Sequence, residues 1–138
     1  EPWGGHAIFV DATRFLPQVP KEEFIAQTLG VELYLEGGVR GVEIGTILAD
    51  RDPETRENRY PRLELLRLAV PRRTYTDNHI RYVAAALINI YNRRDKITSG
   101  YEIKYEAPIM RHFTVKLEKV ASKANMNGQN KVQAETMA

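Results

Sequence analysis

Residues 63–75, LELLRLAVPRRTY, set one arginine inside an apolar run that stops at Pro71. Read as a strand, alternate residues share a face. Glu64, Leu66, Leu68 and Val70 then fall on one side, and Leu63, Leu65, Arg67 and Ala69 on the other. A guanidinium stays charged at any ordinary pH. Burying it without an anion costs several kcal/mol, so Arg67 needs a partner. A carboxylate of the chain itself, an anionic ligand, or a side chain reaching out to water would each satisfy it. Other residues offer weaker chemistry. His6 opens the run HAIFVDA and could move a proton or bind a ligand, although closing a hydrogen bond is the commoner use. Arg72 and Arg73 could hold a phosphate, or simply be a solvated strand end. No glycine loop has the strand-and-helix context that cradles phosphate. No histidine pair has metal spacing, and no nucleophile–base constellation is present.

These residues must be positioned by the elements around them. EPWGG at 1–5 is turn-forming. Residues 6–12 follow as a strand apolar on both faces, which suits a covered central strand. Pro20, Lys21, Glu22 and Glu23 predict a helix start. Phe24, Thr28, Val31 and Leu35 mark its buried stripe, and Gly37 and Gly38 end it. Gly30 inside that helix implies a close packing contact. VRGVEIGTIL at 39–48 reads as a strand, with Gly41 and Gly45 marking close backbone approach or a bulge. Residues 50–60 are polar with a turn at Asp52-Pro53. The Arg67 strand comes next. Thr76 caps a helix whose stripe is Ile80, Val83, Ala84, Leu87, Ile88 and Tyr91. Arg93, Arg94 and Lys96 fall at its C-terminal end. YEIKYE at 101–106 alternates as a strand. IMRHFTVKLEKV at 109–120 reads as another, with Phe113, Val115 and Leu117 on one parity and His112 with Thr114 on the other. The order β-α-β-β-α-β-β predicts a small α/β (α+β) sandwich with helices on one face of a sheet.

The totals bound the function classes. The chain has 138 residues, enough for one domain with a core. A net charge of +2 gives no electrostatic case for nucleic acid or an anionic membrane. With no cysteine, disulfides and thiolate metal sites are excluded. No apolar run approaches the length of a membrane span. The chain opens on Glu1 rather than methionine, which reads as a piece of a longer polypeptide.

Several motifs fall in a telling order: GGHAIFVDA, ELYLEGGVR, VEIGTIL, RDPETR, ELLRLAVPR, TYT and RHFTVKLEKV. From Gly4 to about Val120 the chain resembles the carboxy-terminal part of the β-eliminating lyases. These are pyridoxal-phosphate enzymes of the fold-type I, aspartate-aminotransferase architecture, and they include tryptophanase and tyrosine phenol-lyase. The resemblance implies that residues 1–120 are the small C-terminal domain and that 121–138 form a polar tail beyond it. Arg67 matches the arginine that binds the α-carboxylate of the amino-acid substrate. Ile44 falls where tyrosine phenol-lyase has an arginine for the phenol ring, and His112 where it has phenylalanine. Both residues point to tryptophanase. His112 would then orient or polarise near the indole, and is the one candidate here for a catalytic role. Phe113 would pack over the substrate, or serve as plain core.

The implied activity is β-elimination of L-tryptophan to indole, pyruvate and ammonia, with tyrosine phenol-lyase as the alternative. The implied enzyme is a cytoplasmic homotetramer with no nucleic-acid or membrane partner. The cofactor lysine, the phosphate-binding residues, the ring-nitrogen aspartate, the catalytic tyrosine and a K+ site belong upstream of Glu1. The chain alone is therefore expected to bind no cofactor and turn over nothing. A stand-alone amino-acid-binding module is the reading from a different class, and tryptophan binding by the isolated chain would favour it.

Overall fold

A computed structural model describes residues 5–121. The expected turn at 1–5 lies almost wholly outside them, as does nearly all of the 121–138 tail. Strand β1 (Ala7–Asp11) runs into the short helix α1 (Ala12–Phe15), whose first turn Asp11 caps by accepting from Arg14 N at 3.1 Å. Helix α2 (Ile25–Gly37) leads to β2 (Val42–Ile44), α3 (Thr46–Ala49) and β3 (Leu65–Ala69). Helix α4 (Asp77–Asn92), β4 (Tyr101–Tyr105), α5 (Arg111–Thr114) and β5 (Lys116–Lys119) complete the order. Two 3₁₀ turns, Lys21–Glu23 and Arg94–Lys96, precede α2 and follow α4.

Among the described residues the strands form two sheets rather than the expected one. The first is antiparallel in the order β1-β3-β2, and the second pairs β4 with β5. Arg67 is therefore on the central strand, opposite Phe9 on one side and Val42 on the other. Leu66 and Leu68 of β3 point to the other face, into a core with Leu29 and Leu33 of α2 and Ala86 and Ile90 of α4. Truncating a fully buried leucine such as Leu66 would cost about 2–5 kcal/mol.

The helix faces differ from the sequence-based expectation. In α2 the buried side is Ile25, Ala26, Thr28, Leu29, Glu32 and Leu33, whereas Leu35 is 69% exposed and Val31 only half-buried. Phe24, expected inside the helix, adopts φ 55 between the 3₁₀ turn and α2. That conformation costs of order 1–3 kcal/mol, which burial of the phenyl ring offsets. The helical stripe is therefore set from Ile25. Glu32 tolerates burial because Arg93, at the end of α4, donates to it at 2.8 Å and to Glu36 at 3.3 Å. On α4 the inward stripe is Val83, Ala86, Leu87 and Ile90, while Ala84, Ile88 and Tyr91 are exposed. Thr76 caps that helix as expected, its N–H donating to His79 Nδ1 at 3.2 Å.

The glycines expected at close approaches are at such approaches. A Cβ on Gly30 would come to 3.3 Å from Leu66 Cδ1, and one on Gly41 to 2.6 Å from the same atom. Gly38 ends α2 at φ 64, its N–H donating to Tyr34 O at 2.8 Å.

Candidate functional site

Neighbours across a sheet share a face. The register therefore groups Phe9, Arg67 and Val42 in one rung, and Asp11, Leu65 and Ile44 in the next, on the face away from the helices. This face is open: Phe9 and Val42 are each 49% exposed. Arg67 is half-buried rather than sealed in, so the full cost of a buried ion does not apply to it. Among the described residues its guanidinium makes no ion pair and no hydrogen bond. Arg51, Arg93 and Arg111 all pair with carboxylates. Arg67 thus presents an unpaired fork of donors in the middle of the open sheet, with Ile44 on the same face.

The expected strand at 39–48 stops at Ile44 because two carboxylates turn the chain. Glu43 and Glu64 are both buried. Thr46 N donates to Glu64 Oε1 at 3.1 Å, and the Thr46 hydroxyl donates to the same oxygen. Ile47 N and Leu48 N donate to Glu43, each at 3.0 Å. These are the otherwise unpaired donors at the start of a helix, and α3 winds from them. The clamp fixes Gly45 and, immediately before it, Ile44.

Burial raises the Glu43 carboxyl above its ordinary range; the Ile47 and Leu48 N–H groups oppose this and the Glu64 charge adds to it. A carboxyl raised in the folded state contributes stability fully present below its unfolded value near 4.5. That contribution is lost as pH rises through the folded value. Glu43→Gln cannot ionise, so its unfolding free energy should fall less than that of the parent as pH rises above about 4.5. Urea unfolding midpoints from acid to neutral pH measure this, and identical pH slopes would contradict it.

His112 and Phe113 are not on a strand. They form the exposed side of α5, with Met110 at φ 53 turning the chain into it. Their rings lie 4.1 Å apart between centroids at a 46° tilt. Helix α5 packs on α3, which follows directly from Ile44. The four expected site residues thus form two pairs, Arg67 with Ile44 on the sheet and His112 with Phe113 on α5, and α3 connects them. A groove of about 470 Å³ beside α4, lined by Ile8, Leu68, Tyr75, Ile80, Val83 and Leu87 among others, includes none of the four. The candidate site is an exposed face rather than an enclosed pocket.

Other expectations have simpler outcomes. His6 is exposed, and it is its backbone carbonyl that accepts, from Val70 N at 2.8 Å. Arg72 and Arg73 lie in an exposed turn after β3. Sequence reasoning missed Glu43, Glu64 and Arg111. Glu64 carried a signal, since it begins the apolar Leu66–Leu68 face.

Lys21 is committed to Pro61 O, Lys104 to Glu102 and Glu118, and Lys119 to Glu32. Among the described residues no group of three or more His, Cys, Asp or Glu side chains is placed to hold a metal ion. Nor is any described helix long and apolar enough to cross a membrane.

A family model described as beta-eliminating lyase matches residues 7–86. A probable beta-eliminating lyase of Trichomonas vaginalis is 68% identical over 119 residues, covering 86% of this chain and 26% of that protein. A tyrosine phenol-lyase of Symbiobacterium thermophilum is 46% identical over 121 residues, covering 88% of this chain and 26% of its own length. A tryptophanase of Salinibacter ruber is 44% identical over 124 residues, covering 90% and 26%. The chain spans about a quarter of the length of these relatives.

Proposed function

This chain belongs to the β-eliminating lyase family, and from that premise we propose that it is the C-terminal, substrate-binding part of a tryptophan-cleaving member. Arg67 holds the α-carboxylate of L-tryptophan through a bidentate fork. Ile44 offers an apolar wall to the indole ring, His112 orients or polarises near it, and Phe113 packs over it. The pyridoxal phosphate, and the K+ that assists it, are held by the rest of the polypeptide. When bound, that cofactor supplies the sink for the electrons left on the α-carbon. This domain's part is orientation: a carboxylate fixed at Arg67 helps set which α-bond faces the cofactor. The working enzyme is a cytoplasmic homotetramer.

The observation that carries the reading is Arg67, an unpaired guanidinium on an open sheet face beside Ile44. Overall identity does not choose the substrate, since it is 46% to a tyrosine phenol-lyase and 44% to a tryptophanase. The choice rests on the aliphatic Ile44 and on His112. The complete polypeptide, supplied with pyridoxal phosphate, is expected to release indole from tryptophan at least tenfold faster than phenol from tyrosine. Faster phenol release would transfer the assignment to tyrosine phenol-lyase.

A further inference from the structure

Helix α5 spans only Arg111–Thr114, far too short to be stable alone. No other side chain ties it to α3: His112 is exposed and Phe113 is 74% exposed, and the exposed Thr114 hydroxyl accepts only from the nearby Ala107 N, at 3.3 Å. Arg111 is its single buried residue, at 1% exposure. All three guanidinium nitrogens are engaged. Nε donates to Ile47 O at 3.0 Å and Nη2 to Thr46 O at 2.6 Å, both carbonyls of α3. Nη1 donates to Asn58 Oδ1 at 2.7 Å and to Glu106 Oε2 at 3.2 Å, and Asp50 stands 3.4 Å from Nε. The other oxygen of Glu106 pairs with Arg51. Burial works against the Glu106 charge, but hydrogen bonds from Arg51 and Arg111 hold its carboxyl below the ordinary range. A lysine in place of Arg111 keeps the charge but cannot reproduce this planar fork.

We propose that Arg111 is a positioning residue for substrate selection, fastening α5 to α3 so that His112 and Phe113 stand in a fixed relation to Ile44. The proposal rests on the reading of those three residues as the side-chain pocket. It predicts a defect that depends on the substrate's leaving group. Tryptophan needs the aromatic wall, whereas S-methylcysteine has a leaving group too short to meet it.

The test uses the complete polypeptide with pyridoxal phosphate, measuring kcat/KM for both substrates. Arg111→Met is expected to lower the tryptophan to S-methylcysteine ratio at least tenfold, with partial rescue in Arg111→Lys. Asn58→Ala removes one acceptor from a half-exposed loop and keeps the test open if Arg111→Met does not fold. It should lower the ratio about threefold. An equal fall on both substrates, or an unchanged ratio in Arg111→Met and Asn58→Ala, overturns the proposal. His112→Ala and Phe113→Ala separate the two levels. If they shift the ratio and the Arg111 and Asn58 variants do not, only the positioning role fails. If none of the variants shifts it, the pocket reading fails and the positioning role with it.

Discussion

Arg67→Ala should cost the complete enzyme roughly 10²–10⁴-fold in kcat/KM for its amino-acid substrate while leaving the fold intact. The size follows from the contact. A guanidinium–carboxylate fork makes two charge-assisted hydrogen bonds of about 1.5–3 kcal/mol each, and each 1.36 kcal/mol is about tenfold in rate. The carboxylate is held both before and during the reaction, so KM should rise. A substrate that pivots about the missing contact should also lower kcat. Arg67→Lys keeps the charge but not the fork, and should recover only part of the loss. Stability should change by less than about 0.5 kcal/mol, because among the described residues the side chain has no ion-pair or hydrogen-bond partner to lose. Denaturant unfolding beside steady-state kinetics checks both halves. A variant with normal kinetics, or one that fails by unfolding, would contradict the assignment.

Gly45→Ala should be the most damaging single-methyl change at the site, lowering unfolding free energy by about 3 kcal/mol. Gly45 has a negative φ of −153, so left-handed strain is not the difficulty. Space is. A Cβ there would overlap the Glu64 carboxylate and lie 2.7 Å from Glu43 Oε1. Neither carboxylate can withdraw without abandoning the N–H groups of Thr46, Ile47 and Leu48. Each buried donor left unpaired costs about 1–3 kcal/mol. Gly5→Ala, where a Cβ would meet nothing within 4 Å, is the matched control and should be neutral. Chemical denaturation of both variants measures the difference. Equal midpoints would mean that the carboxylate clamp does not hold α3.

What was legible in the sequence was whatever repeated or punctuated. The alternation around Arg67 gave β3 and the correct side for its guanidinium. Thr76 marked the start of α4, and Gly38 the end of α2. The glycine spacing in VRGVEIG signalled crowding at Gly41 and Gly45. What failed was decided by tertiary contacts. The run IMRHFTVKLEKV has the composition of a strand, yet its first half winds into α5 because Arg111 finds its acceptors on α3 and in the 50–58 loop, far away in sequence. The β2 strand was expected to reach residue 48, but Glu64, 18 residues beyond Thr46, ends it early. The α2 stripe was misplaced because Phe24 is not helical. In the first two cases a buried charged group met a distant partner, which local pattern does not encode. The reading of Arg67, Ile44, His112 and Phe113 as one constellation rests on the family resemblance. The register and the α3 connection give it a geometric frame.

The central claim, that the acid group awaited by Arg67 arrives with the substrate, is tested by removing either side of the contact. L-Phenylalanine and phenethylamine differ only by the carboxylate, and both can be measured as competitive inhibitors of the complete enzyme and of Arg67→Ala. The parent is expected to prefer phenylalanine by at least about 100-fold, and the variant to lose that preference through weaker phenylalanine binding, with phenethylamine unaffected. A preference of the same size in both enzymes would mean that the carboxylate is held elsewhere.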